Sequence, residues 1–213
     1  IMTRTVKWQK QGNVGIILLS NPPINCITQQ FLIDFNQTLD EIEQENGIKV
    51  LLITTANVRV FATESLDHTK EESSTENQLL NRLLKRIALQ PIPTICIITG
   101  TAIGAGFELA LVCDLRISSE TARLGFYRDR STTEIATQAL IELVGPSRAK
   151  ELLWFGQSID AKDAINIGLI NRIFNDTYIM NEGLEMALSL IQLDRAEKLL
   201  NLFRHRGTVM GIE

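Results

Sequence analysis

The first apolar run of the chain, Val14–Leu19, ends at Ser20-Asn21-Pro22-Pro23, where consecutive prolines remove backbone donors. This predicts a strand running into a loop. Phe31, Leu32, Phe35, Leu39 and Ile42 then recur at helical spacing, with Asp34, Asp40, Glu41 and Glu43 on the other faces. The run Val50–Thr55 (VLLITT) is apolar and rich in β-branched residues, as expected of a buried strand. A strand, helix, strand order of this kind implies a parallel sheet.

Residues 63–78 turn polar (TESLDHTKEESSTENQ), which suits an exposed loop or the start of a helix. Leu79, Leu80, Leu83, Leu84 and Ile87 follow as the stripe of a second helix, stopped by Pro91 and Pro93. Residues 94–99 (TICIIT) predict the next strand, 100–106 a glycine loop, and a helix opens near Phe107. Another strand is expected over 113–118, then helices over 134–143, 147–155 and 160–167, with Asp160 as N-cap and Gly168 as stop. Beyond the short run 169–174 the pattern is helical, with Leu184, Leu188 and Ile191 at helical spacing. The triplet Arg204-His205-Arg206 reads as a solvated helix terminus. No internal repeat or low-complexity tract interrupts the pattern.

Composition narrows the function classes. At 213 residues, 45% hydrophobic and 22% charged, the chain has the make-up of an ordinary globular domain with an appendage. Its 21 basic and 25 acidic residues leave a net charge of −4, so the global basic field of a nucleic-acid binder is missing. Cys26, Cys96 and Cys113 lie far apart, without a CxxC pair, which argues against a disulfide scaffold and a zinc site and for a reducing compartment. Cys96 and Cys113 sit inside apolar runs and read as core. His68 and His205 have polar neighbours and read as solvated surface. No apolar run approaches the roughly 18 residues of a membrane span, and no basic segment followed by an apolar stretch opens the chain. These features predict a cytoplasmic protein with no membrane partner. Ile1 precedes Met2 and is given no structural meaning.

The stretch 94–126 holds the strongest chemical signal: a strand, a glycine loop, a short helix with one acid, and a strand again. Glycine lets a backbone approach a ligand closely, and the amides at a helix start face an anion, so such a turn can hold an oxyanion. Glu108 falls one turn into a helix whose neighbours Phe107, Leu109, Ala110, Leu111 and Val112 are apolar. A carboxylate there is expected to be partly desolvated, with a raised pKa suited to general acid or base work. The plainer reading is a glutamate that complements the helix dipole. A phosphate loop is disfavoured, because Gly104-Ala105-Gly106 continues as Phe107-Glu108-Leu109 and completes neither GxGxxG nor a P-loop.

The segment Gly104-Ala105-Gly106-Phe107-Glu108-Leu109-Ala110-Leu111-Val112-Cys113-Asp114 resembles the signature of the enoyl-CoA hydratase/isomerase (crotonase) family. Residues 21–28 (NPPINCIT), 49–67, and 144–173 (VGPSRAKELLWFGQSIDAKDAINIGLINRI) resemble further ordered segments of that family, and the likeness runs over about residues 6–174. The resemblance implies an α/β fold, the crotonase-like (ClpP/crotonase) spiral of β-β-α turns, with a core over 1–174 and a short C-terminal helical segment over 175–213. It implies acyl-CoA or acyl-carrier thioesters as substrates, no tightly bound cofactor, no metal, and assembly as a homotrimer or hexamer. Carried over by position, the amides of Ser65 and Ala105 form the oxyanion hole, and Asn25, Ala62, Glu64, Ser65, Leu66, Gly104 and Ala105 contact the thioester.

Three departures qualify the expectation. Glu64 stands where the family has glycine, adding negative charge beside the expected oxyanion. The Pro-Glu pair that supplies a second acid in hydratases is replaced by Gly125-Phe126-Tyr127-Arg128-Asp129-Arg130, which makes Tyr127 the candidate second polar partner. The following loop is shortened to residues 131–136 (STTEIA). Tyr127, Arg128, Asp129 and Glu134 also have a plain reading as exposed loop side chains. The sequence thus predicts an enzyme with one acid/base glutamate, Glu108. The alternative is a non-catalytic crotonase-like scaffold that binds acyl thioesters. Leu184, Leu188, Leu199 and Leu202 predict self-association through the helical tail.

Overall fold

The computed structural model of the chain describes residues 4–64, 70–128, 132–193 and 195–209. The amino-terminal hairpin pairs β1 (Val6–Gln11) antiparallel with β2 (Val14–Leu19). Three β-β-α units begin with β2: β3 (Cys26–Ile27) and α1 (Gln29–Gln44) complete the first; β4 (Val50–Thr55), β5 (Val60–Glu64) and α2 (Lys70–Ala88) make the second; β6 (Thr94–Ile98), β7 (Thr101–Ile103) and α3 (Ala105–Leu111) make the third. A fourth holds β8 (Leu115–Ser119) and β9 (Arg123–Gly125), followed by α4 (Glu134–Val144) and α5 (Pro146–Phe155). The chain closes with β10 (Ile159–Asp160), α6 (Ala161–Asn166), β11 (Arg172–Phe174), α7 (Ile179–Ile191) and α8 (Ala196–Val209).

Each unit gives its first strand to one sheet and its second to another. The larger sheet has the order β1-β2-β4-β6-β8-β11 and the smaller β10-β9-β7-β5-β3. Every pairing after the first hairpin is parallel except β10 with β9. This is the spiral of β-β-α turns that the sequence led us to expect.

The continuous apolar runs follow from burial of the larger sheet on both faces. Val14, Ile16, Val50, Leu52, Ile95, Ile97 and Ile117 meet Ile179 and Ala187 of α7. Gly183 lets α7 lie directly on Ile97, since a Cβ there would fall on that side chain. The alternate residues Ile17, Leu19, Leu51, Ile53, Cys96 and Ile98 face the main core with Phe31, Phe35, Leu83 and Leu84 of the first two helices. Cys96 and Cys113 are buried, as their apolar settings predict.

The structure extends the sequence reading in the smaller sheet. Residues 100–106 are not one loop, because Thr101–Ile103 forms β7, held between β5 and β9. β1, β3, β5, β9 and β10 were likewise not expected from periodicity. Most of them are too short or too exposed to repeat an apolar pattern, and β1 buries Val6 but exposes Lys7, Gln9, Lys10 and Gln11. The expected N-cap and stop of α6 are present: Asp163 N–H donates to Asp160 Oδ1 at 2.9 Å, and Gly168 has φ +84°.

The third unit carries the tightest backbone approach. A Cβ at Gly106 would fall onto the carbonyl of Ala62 in β5. Gly106→Ala is therefore expected to push α3 away from β5 and lower the unfolding free energy by about 1–3 kcal/mol, measured by urea denaturation.

Candidate active site

The site is built where β7 hands over to α3. Gly104 lies between them with φ +58°, a conformation that side chains disfavour. Its N–H donates to Gly125 O at 3.0 Å, while its carbonyl accepts from Phe107 N at 2.9 Å and Glu108 N at 3.0 Å. The first turn of α3 is thereby aimed across the end of the smaller sheet. The amide of Ala105, at the first helical position, has no acceptor within the helix. Phe107 packs on Phe126 with ring centroids 5.0 Å apart, tying α3 to the segment after β9.

This packing buries Glu108, which is only 3% exposed. Two donors reach its Oε2 from Thr133, the backbone N–H at 3.0 Å and the hydroxyl in a short hydrogen bond. Thr133 is also the N-cap of α4, its Oγ1 accepting from Ala136 N at 3.3 Å. Desolvation pushes the Glu108 carboxyl up to about 7, the two Thr133 donors oppose that rise, and the charge of Glu64 adds to it. The raised pKa expected from the apolar neighbours is thus present. Thr133 was not singled out by the sequence reading, although a threonine directly before Glu134 and an apolar periodic run is a helix-start signal.

Glu64 and Tyr127 both stand over Gly104. A Cβ there would fall on the Glu64 carboxylate and lie 3.1 Å from Tyr127 Cδ2. The structure therefore brings Glu64, Gly104, Ala105, Glu108 and Tyr127 together, with Ala62 beneath Gly106. Ser65 and Leu66, the other positions carried over from the family, lie outside the described residues, as do His68 and Asp129.

Asn25 lies against β5, its carbonyl accepting from Thr63 N at 3.2 Å. It is 1% exposed with φ +49°, and its side-chain amide donates to Thr55 Oγ1 at 2.5 Å and Phe61 O at 3.0 Å while its Oδ1 accepts from Asn21 N at 2.8 Å. These bonds fasten the loop after β2 to β4 and β5. Asn25 also borders a surface cleft of about 360 Å³ with Ser20, Pro22, Ala56, Asn57, Val58 and Arg59, at the carboxyl ends of β2 and β4. Arg128 and Glu134 are exposed, in line with their plain reading. Among the described residues no group of three His, Cys, Asp or Glu side chains is placed to hold a metal, and no helix is long and apolar enough to cross a membrane.

The two alternating sheets and the glycine turn define a crotonase-type fold. Solved structures share it: Pseudomonas aeruginosa DspI superposes with a TM-score of 0.89 at 23% identity, covering 97% of this chain and 82% of that one. An enoyl-CoA hydratase/carnithine racemase from Magnetospirillum magneticum gives a TM-score of 0.90 at 19% identity, covering 100% of this chain and 84% of that one. The family model for enoyl-CoA hydratase/isomerase matches residues 9–205, and the chain belongs to that enzyme family. Among its relatives, the short-chain-enoyl-CoA hydratase of Clostridium acetobutylicum is 29% identical over 86% of this chain and 74% of its own length. The mitochondrial enoyl-CoA hydratase domain-containing protein 2 of Mus musculus is 32% identical over 89% of this chain and 69% of its own.

The site has a stability signature. Because the folded pKa of Glu108 lies above its unfolded value, stability is full below the ordinary carboxyl value of 4.5 and falls as pH rises through about 7. Glu108→Gln removes this loss, so its stability advantage should be near zero at pH 4 and reach on the order of 3 kcal/mol by pH 8, read from denaturation midpoints. Thr133→Val removes one of the two donors that favour the carboxylate, so the pH at which wild-type stability falls should move upward.

Proposed function

We propose that the chain acts on an acyl-CoA thioester, or on the same thioester carried by an acyl-carrier protein, through an enolate held by backbone amides. Glu108 moves the proton. The observation that carries the reading is its carboxyl, buried one turn beyond the glycine turn and pushed up to about 7. Taking a proton from, or returning one to, the carbon beside a thioester needs a group whose pKa lies near the working pH. The electron pair released moves onto the carbonyl oxygen, where preorganised N–H donors stabilise it. Ala105, at the first turn of α3 between Gly104 and Gly106, supplies one donor, and the family pattern assigns the other to Ser65. The same pattern gives the thioester contacts to the backbone around Ala62, Glu64, Leu66 and Gly104. The substrate class is supported by relatives named as enoyl-CoA hydratases.

We further infer a homotrimer or hexamer, supported by Leu188, Leu199, Leu202 and Phe203, which are 46%, 49%, 64% and 69% exposed in the single chain. The thiols of Cys96 and Cys113, buried in the apolar core, support a cytoplasmic setting. One observation favours a second reading, a thioester-binding scaffold without turnover: the Glu64 carboxylate stands over Gly104, where negative charge opposes an enolate.

Turnover and binding measured on a panel of acyl-CoAs separate the two. On a substrate that the wild type processes, Glu108→Gln should lower turnover by roughly 10²-fold or more while binding changes little. Full activity in that variant excludes Glu108 as the acid/base. Binding of several acyl-CoAs without turnover by the wild type selects the scaffold.

A further inference from the structure

Both donors of Thr133, the backbone N–H at 3.0 Å and the hydroxyl in a short hydrogen bond, converge on the same oxygen of Glu108, Oε2. An ionised carboxylate only accepts, so the hydroxyl spends its one proton on Glu108 while its oxygen accepts from Ala136 N at 3.3 Å. Thr133 is itself held, its carbonyl accepting from Thr137 N at 3.0 Å and Thr137 Oγ1 at 2.9 Å. A carboxylate oxygen offers about two lone-pair sites, and the two donors fill those of Oε2. Among the described residues no donor reaches Oε1.

We propose that Thr133 is the positioning residue of the site: by occupying Oε2 it fixes the plane of the Glu108 carboxylate and reserves Oε1 for the proton that the reaction moves. This rests on the acyl-thioester reading above. In the forward step the C–H bond beside the thioester carbonyl breaks, its proton bonds to Oε1, and the electron pair moves onto the carbonyl oxygen. Return of a proton from Oε1 to carbon reforms the carbonyl and restores the carboxylate. The two bonds at Oε2 persist throughout, since a proton placed on that oxygen would have to displace a donor.

The helix alone does not give the carboxylate this orientation. The backbone of Glu108 is fixed, its N–H donating to Gly104 O at 3.0 Å and its carbonyl accepting from Val112 N at 3.4 Å, but those bonds leave the end of the side chain to turn. The torsion that turns a glutamate carboxylate is broad and roughly two-fold, so without a partner its two oxygens exchange places. Thr133 is the N-cap of α4, and its bonds to Oε2 tie the side chain to the start of that helix while the backbone belongs to α3. Proton transfer depends on that placement, because a misplacement of about 1 Å costs up to about 10²-fold in rate.

The test follows exchange of the α-hydrogens of short-chain acyl-CoAs for deuterium in heavy water, across pH, in the wild type, Thr133→Val, Thr133→Ser and Glu108→Gln. Thr133→Val should lower kcat for exchange by about 10-fold with KM within about threefold, and the acid-side limb, which reports ionisation of Glu108, should move to higher pH because a donor that favours the carboxylate is gone. Thr133→Ser restores the hydroxyl and should return kcat to within about threefold of wild type, with the limb in place. Loss of the α4 cap alone would lower the unfolding midpoint of Thr133→Val and leave kcat and the limb unchanged, and this result overturns the proposal. So does a Thr133→Ser variant as slow as Thr133→Val, which would assign the effect to packing rather than to the hydroxyl. Should Thr133→Val not fold, Thr133→Gly decides, since glycine is tolerated at an N-cap and keeps the backbone donor while deleting the hydroxyl; wild-type kcat in that variant is likewise fatal. Any of these failures beside an inactive Glu108→Gln leaves the acid/base reading standing, whereas a wild type that exchanges no acyl-CoA overturns that reading and the proposal together.

Discussion

The close approach of α3 to β5 governs the rest of the site. Gly106 touches the Ala62 carbonyl so closely that no side chain fits, and Gly104 takes a positive φ to bring the helix there. Only this geometry drives the short helix into the gap between the sheet and α4. A helix of seven residues is far below the length at which a helix is stable alone, so its conformation is imposed by what clamps it. The glycines clamp the beginning. The end is clamped by Arg116, buried in β8, whose guanidinium donates to the carbonyls of Ala110, Leu111 and Cys113, groups that a helix terminus leaves unsatisfied.

Burial of Glu108 is a consequence of that clamping, and its protonation behaviour follows. Removal from water favours the neutral acid, while two hydrogen bonds from Thr133 favour the carboxylate. Desolvation is the larger influence and lifts the carboxyl above its ordinary range, while the Thr133 bonds limit the rise to about 7, where the group exists in both forms. The shortened loop before α4 matters here, because it ends in the N-cap whose hydroxyl and amide reach Glu108. One residue starts a helix and tunes the acid.

Much of this was legible in sequence because the physics is local. The runs in β2, β4 and β6 are largely consecutive apolar residues, the stripes of α1 and α2 repeat at helical spacing, and Asp160 and Gly168 mark both ends of α6. Glu108 was legible for the same reason: its apolar neighbours in sequence are also its neighbours in the helix. The smaller sheet was not, since β3, β7 and β9 hold only two or three residues each and are defined by partners far along the chain. Asn25 sits in a segment that resembles a family loop, yet its side chain is engaged by Thr55 and Phe61, contacts that no sequence spacing reveals. Arg116 reads as a polar interruption in a strand until the carbonyls around it are seen.

Glu64 shows most clearly what position-by-position comparison leaves out. Along the chain it is a glycine exchanged for an acid, which loses backbone freedom and sets a charge against an anion. In space its carboxylate lies over a glycine that has no side chain to exclude it, and its charge contributes to the upward displacement of Glu108. A site built this way depends on Gly104 twice, once for the backbone conformation that starts α3 and once for the space that Glu64 occupies.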